Sequence, residues 1–165
     1  MAFTVLTEAQ AGAAEFGLDG LDQLKALFRA NRRVVKGQAS TLRDRSIVTA
    51  GEKLPTQFPA VRIELEASDE RYLEIGAEDH GKRLITLTYT VTVMDRIMRN
   101  HQRVTRSHTQ LADRMRAVIS HNRTLDGFCE NVLMTPARYG FFAQRRGYLL
   151  AARLTATATK RVDLL

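Results

Sequence analysis

A chain of 165 residues fits one domain and is long enough to bury a substantial core. Its formal charge of +7 and pI near 10.1 permit contact with nucleic acid without requiring it. The single cysteine, Cys129, excludes an internal disulfide and reads as a buried thiol, and no apolar run of about 18 residues is present to cross a membrane. The N-terminal stretch has no signal-peptide pattern, so the expected setting is a reducing cytoplasm or a particle built in one.

Residues 1–17 form a short mixed arm, either mobile or packed on a neighbouring subunit. Thr7 to Gln10 could cap a brief helix, which Gly12 and Gly17 weaken. Leu18 to Val35 predicts the first clear helix. Leu18, Leu21, Leu24, Leu27 and Phe28 make its apolar face, and Val34 extends it. Asp19 and Asp22 suit its first turns, and Arg29, Arg32 and Arg33 its last. Residues 36–59 read as a long loop punctuated by Gly37, Gly51, Pro55 and Pro59, with Arg43, Asp44 and Arg45 exposed and a short strand at Ile47 and Val48.

Ala60 to Ala67 alternates, placing Val61, Ile63, Leu65 and Ala67 on one face and Arg62, Glu64 and Glu66 on the other. An acidic excursion follows, with Asp69, Glu70, Glu74, Glu78 and Asp79, and is expected to project beyond the sheet. Arg83 to Met94 is the longest predicted strand. Ile85, Leu87, Tyr89, Val91 and Val93 share one face and four threonines the other, and the strand should pair antiparallel with its predecessor.

Val104 to Gly127 is the stretch around which the chain is organised. Val104, Leu111, Met115, Val118 and Ile119 form a helical stripe whose gap His108 fills. The helix starts at Ser107, where Gln110 completes a capping box, or earlier, since Ile97, His101 and Val104 continue the stripe. Asn122 and the TLDG turn stop it, with Gly127 free to take positive φ. Phe128 to Met134 reads as a strand or a return to one, and Pro136 interrupts it. Tyr139, Phe141 and Phe142 precede the charged turn AQRRG. Tyr148 to Thr159 is a second long strand, and residues 160–165 are a tail expected to leave the fold. An amphipathic helix between strands needs a sheet to cover. The expectation is therefore an α+β single domain spanning 1–165, with an antiparallel or mixed sheet of about four strands flanked by helices. Leu111 and Met115 should meet Leu87, Tyr89, Val91 and Leu154 in its core.

Sequence signals for chemistry are sparse. His80, His101, His108 and His121 have no third ligand at metal spacing, and HExxH is absent. Ser120 and His121 are adjacent, which does not aim one at the other, and there is no GxSxG, Walker A or GxGxxG. The acidic cluster lacks the apolar surroundings that would raise a carboxylate pKa. The reading is a non-enzyme with no cofactor, catalytic residue or metal ligand.

Charge is more informative. Arg29 to Arg45 holds six basic residues against one acidic, and Arg96 to Arg123 holds seven arginines against Asp113. Arg62 to His80 reverses this, with seven acidic residues against two arginines. Such a subunit can pair acid to base with copies of itself. The expected contacts are Asp69, Glu70, Glu74, Glu78 and Asp79 with Arg29, Arg32, Arg33, Arg43, Arg45, Arg96, Arg99, Arg103 and Arg106. The alternative is that the arginines bind phosphates, in a nucleic-acid-binding or assembly-accessory module.

The helix LDGLDQLKALFRANRR, the strand FPAVRIELEA, the pair RLITLTYTVTVMDR and LADRMRAVISHNRTLDGFCENV, and the strand YLLAARLTATATKR carry a resemblance. In their order they resemble the small tail-terminator and tail-completion proteins of tailed bacteriophages. The resemblance implies a virion protein of the tail or neck, assembled in the host cytoplasm as a ring, commonly of six subunits. Such a ring would stop the tail tube protein, meet the head connector or a neck protein, and pass DNA through its lumen.

Overall fold

The computed structural model describes residues 16–37, 40–53, 55–74, 82–98 and 102–163, without the side chains of Glu74, Gln102, Arg103 and Asp163. Helix α1 spans Phe16–Ala30, a short 3-10 turn spans Asp44–Ser46 and strand β1 spans Ile47–Thr49. Strands β2 (Ala60–Glu74) and β3 (Lys82–Ile97) precede helix α2 (Gln102–Ser120). Strands β4 (Asn131–Met134), β5 (Arg138–Gln144) and β6 (Gly147–Asp163) close the chain. The strands form one mixed sheet in the order β1-β2-β3-β6-β4, and β5 also pairs with β6. Only β1 with β2 is parallel.

Ile85, Leu87, Tyr89, Val91 and Val93 alternate along β3, and all five are buried. They join Leu24 and Phe28 of α1 and Leu111, Met115, Val118 and Ile119 of α2 in one core, with Leu154, Ala156 and Ala158 of β6. The expected partners of Leu111 and Met115 are thus all in that core. His108 is buried in the α2 stripe, as expected. The opposite sheet face presents Thr86, Thr88, Thr90 and Thr92, paired with Thr159, Thr157, Thr155 and Arg153. No helix among the described residues packs on it. The molecule is two layers, two helices on one side of a sheet.

The expected sheet of about four strands flanked by helices is therefore corrected: there are six strands, and both described helices lie on one face. Two physical causes raise the strand number. β4 and β5 follow the same edge of β6, and the ladder between them breaks at Thr135 to Ala137, where Pro136 has no N–H to donate. β1 is the short strand expected at Ile47 and Val48 within the loop, lengthened to Thr49 and not counted among the four, and Ile47 and Val48 are buried. Val35 and Leu42 are also buried and joined by a backbone hydrogen bond, Leu42 N–H to the Val35 carbonyl at 2.9 Å. Leu42, Ser46, Ile47, Val48 and Pro59 of the supposed loop therefore belong to the core layer.

Other boundaries move as well. Leu18 and Val34 are exposed, because α1 turns Leu24 and Phe28 inward and ends at Ala30. Ile97 lies in β3, not on the helical stripe, and α2 begins at Gln102, leaving Ser107 buried inside it. Strand β2 runs on through Asp69 and Glu70 to Glu74, so the acidic excursion does not begin at Ser68. A bulge at Glu66 shifts the register between Leu65 and Ala67. It moves Ala67 to the threonine face, where it pairs with Thr88, although uninterrupted alternation placed it with Leu65. Lys160 to Asp163 pair with Ile85 to Lys82, so the expected tail is strand as far as Asp163. The arm at 1–15, Glu78, Asp79, Arg99, Leu164 and Leu165 lie outside the described residues.

Candidate assembly surfaces

The turn after α2 takes positive φ at Leu125, Asp126 and Gly127 (46°, 57° and 81°). Gly127 was expected there, but Leu125 is an unusual residue for that region. Its side chain is buried in the core, which explains why the backbone is held so. This turn faces the end of α1 across a cleft of about 670 Å³. Polar groups along it are engaged in capping. Asn31 Nδ2 donates to the Leu27 carbonyl at 2.9 Å, Asn122 Nδ2 to the Val118 carbonyl at 2.7 Å, and the His121 ring meets the Ala117 carbonyl at 2.8 Å. Among the described residues no group of three or more His, Cys, Asp or Glu is placed to hold a metal.

The arginines expected at contacts are distributed unevenly. Arg32 reaches Asp44 at 3.4 Å, which brings the end of α1 beside the 3-10 turn. Arg43 and Arg45 both donate to Gln57 Oε1, at 3.1 and 2.7 Å. Arg29, Arg32, Arg33, Arg43 and Arg45 are all exposed. Arg106 is exposed on α2, whereas Arg96 is half-buried in β3 with its Nε enclosed. Arg96 therefore does not join the first group by simple charge clustering. The side chain of Arg103 is not among those described.

Acidic residues gather along β2. Glu70 accepts from Arg83 at 2.7 Å, and Glu64 pairs with Arg62 at 2.8 Å. Glu66, thrown out by the bulge, accepts from the Thr90 hydroxyl at 2.6 Å and lies 3.9 Å from Arg153. Asp69 is exposed and pairs through its backbone with Thr86. β1 covers β2 only from Val61 to Ile63, so the outer edge of β2 beyond Ile63 has no strand beside it among the described residues.

The other edge was not singled out as a site by sequence. Tyr139, Phe141 and Phe142 of β5 are 52%, 63% and 61% exposed, and Leu133 of β4 is 62% exposed. Phe141 pairs with Leu150 and so shares the helix side, while Phe142 pairs with Leu149 and lies on the opposite side. Tyr139 stacks at a tilt on His108, ring centroids 5.8 Å apart. The hairpin turn consists of Arg145 and Arg146, both exposed. The available signal was aromatic residues of adjacent position on both pleat faces, a pattern a half-buried strand avoids. A free edge flanked by apolar side chains is a template for another strand. No family model matches the chain, and no curated protein matches it.

Proposed function

We propose that this chain is a ring-forming structural protein of a tailed bacteriophage, which terminates the tail tube and joins it to the head connector. The resemblance in element order supplies the class. The observation that best supports self-assembly is a pair of sheet edges with no strand beside them among the described residues, one acidic along β2 and one aromatic and basic along β5. Different surfaces at opposite sides of one subunit suit a heterologous contact, which closes into a ring when the rotation between copies permits.

Light scattering on a sizing column tests the ring: the mass should be a defined multiple of 18.6 kDa. Loss of the gene from a phage should give overlong or unattached tails in electron micrographs. Normal tails firmly joined to heads would remove the terminator role. A second reading, a nucleic-acid-binding accessory module, draws on the exposed arginines from Arg29 to Arg45. It would appear as a monomer or dimer that binds duplex DNA with a steep salt dependence.

A further inference from the structure

The two edges left without a neighbouring strand among the described residues differ in charge and share exposed apolar side chains. β2 beyond Ile63 carries Glu64, Glu66, Asp69, Glu70 and Glu74 against Arg71 in the strand itself, while Arg62, Arg153 and Arg83 pair with Glu64, Glu66 and Glu70 from within the subunit. It also exposes Leu65, Tyr72 and Leu73. β5 and its turn carry Arg138, Arg145 and Arg146 and no carboxylate, together with exposed Tyr139, Phe141 and Phe142. Each edge thus has the apolar area that contact requires and the opposite charge.

Strand directions also agree. β2 runs antiparallel to β3, β3 to β6, and β6 to β5, so β5 runs opposite to β2. Two copies in the same orientation would bring β5 of one antiparallel to β2 of the next, the pairing that gives straight hydrogen bonds. The edges also lie towards opposite ends of the strands. The free part of β2 runs beside Lys82 to Thr90, whereas β5 lies beside the part of β6 that pairs with Thr92 to Ile97. Neighbouring copies must therefore be staggered along the strands. A closed sheet accommodates such a stagger by tilting its strands to the axis.

We propose that the outer edge of β5 in one copy pairs with the outer edge of β2, beyond Ile63, in the next copy, forming a head-to-tail antiparallel contact. This rests on the ring reading above and names its interface. Each contact uses one edge of each partner and leaves the other edge for a further copy, so the assembly grows until it closes.

The test uses two charge-reversed full chains. One carries Glu64→Lys and Asp69→Lys, the other Arg145→Glu and Arg146→Glu. Asp69, Arg145 and Arg146 are exposed and Glu64 is half-buried beside Arg62, so circular dichroism should show the unmodified fold, with the melt of the Glu64→Lys variant lowered by loss of its pair with Arg62. Alone, each variant should need about tenfold or more protein to assemble, read by light scattering. Mixed in equal amounts they should assemble again, because Lys edges then meet Glu turns and the unchanged edges still match. Phe141→Asp with Phe142→Asp should abolish assembly and resist rescue by either variant. Unimpaired assembly of both charge variants, or a mixture that stays monomeric, would overturn the interface while leaving an oligomeric unmodified chain as evidence for a ring. An unmodified chain that is monomeric at all concentrations would remove the ring reading and the interface together.

Discussion

At the scale of single residues, three positions set how stability responds to pH and to substitution. His108 is buried against Tyr139, and burial pushes its pKa below the ordinary 6.5. The unfolded chain then binds a proton that the folded chain refuses, so stability should fall as pH drops below about 6.5 and level off below the folded pKa. His108→Gln should flatten that part of the profile in urea melts at about pH 8 and about pH 5.5. Glu52 behaves oppositely. Lys25 at 2.9 Å and the Thr49 N–H hold its carboxyl down to about 2, so its contribution is present above 4.5 and lost as pH falls towards 2. Glu52 is exposed although Lys25 is half-buried, and solvent screening at the carboxylate means that Glu52→Gln should cost about 1 kcal/mol at neutral pH. Gly20 is different again. A Cβ there would overlap the Tyr89 hydroxyl, which donates to the Gly17 carbonyl at 3.3 Å, and would press Phe128 at 3.1 Å. Gly20→Ala should therefore destabilise by about 1–3 kcal/mol despite better helix propensity, measured by denaturant melting.

Elements show where the core is shared. Leu111 and Met115 of α2 are fully covered, so Leu111→Ala should cost about 2–5 kcal/mol in a denaturant melt. A loss below about 0.5 kcal/mol would mean that α2 packs differently. The segment from Gly37 to Thr56 makes a less obvious contribution. It looks removable in sequence, but it supplies Leu42, Ile47 and Val48 to the interior and the parallel partner of β2. Its deletion should abolish cooperative unfolding rather than release a folded chain with one function lost. Arg43→Glu with Arg45→Glu is the better probe of any partner at that surface. Both side chains are exposed and donate to Gln57, so the fold should persist. Circular dichroism would separate the two cases.

For the whole molecule, asymmetry is the main property. One face of the sheet is closed by two helices, the other is threonine-rich, and the two edges have opposite charge character. A ring built from such a subunit would have distinct inner and outer walls without any extra domain. If charge directs the proposed contact, assembly should weaken as salt rises and persist in part through Phe141, Phe142 and Tyr139. Sizing with light scattering across a salt series would measure both effects. Salt-independent assembly would leave the apolar residues alone responsible.

Sequence by itself determined what depends on near neighbours. The alternation of Val61 and Ile63, the threonine-backed face of β3, and the one-turn spacing of Leu111 and Met115 each specify which side turns inward, and those residues are buried, whereas Leu65, on the same alternation, is left exposed. Gly127 was legible for the same reason, since a turn after a helix needs positive φ locally. Tertiary structure decided everything that depends on a distant partner. Glu66 bulges only with reference to Tyr89 and Thr88 across the ladder, and that bulge sends Ala67 to the other face. The short strand expected at Ile47 and Val48 gets its parallel partner from β2, and β5 is a strand only because β6 lies beside it. The acidic and arginine-rich runs were visible as composition, but which of their residues share an exposed edge was set by strand order. Local periodicity constrains side-chain direction, whereas the position of an edge is a property of the completed sheet.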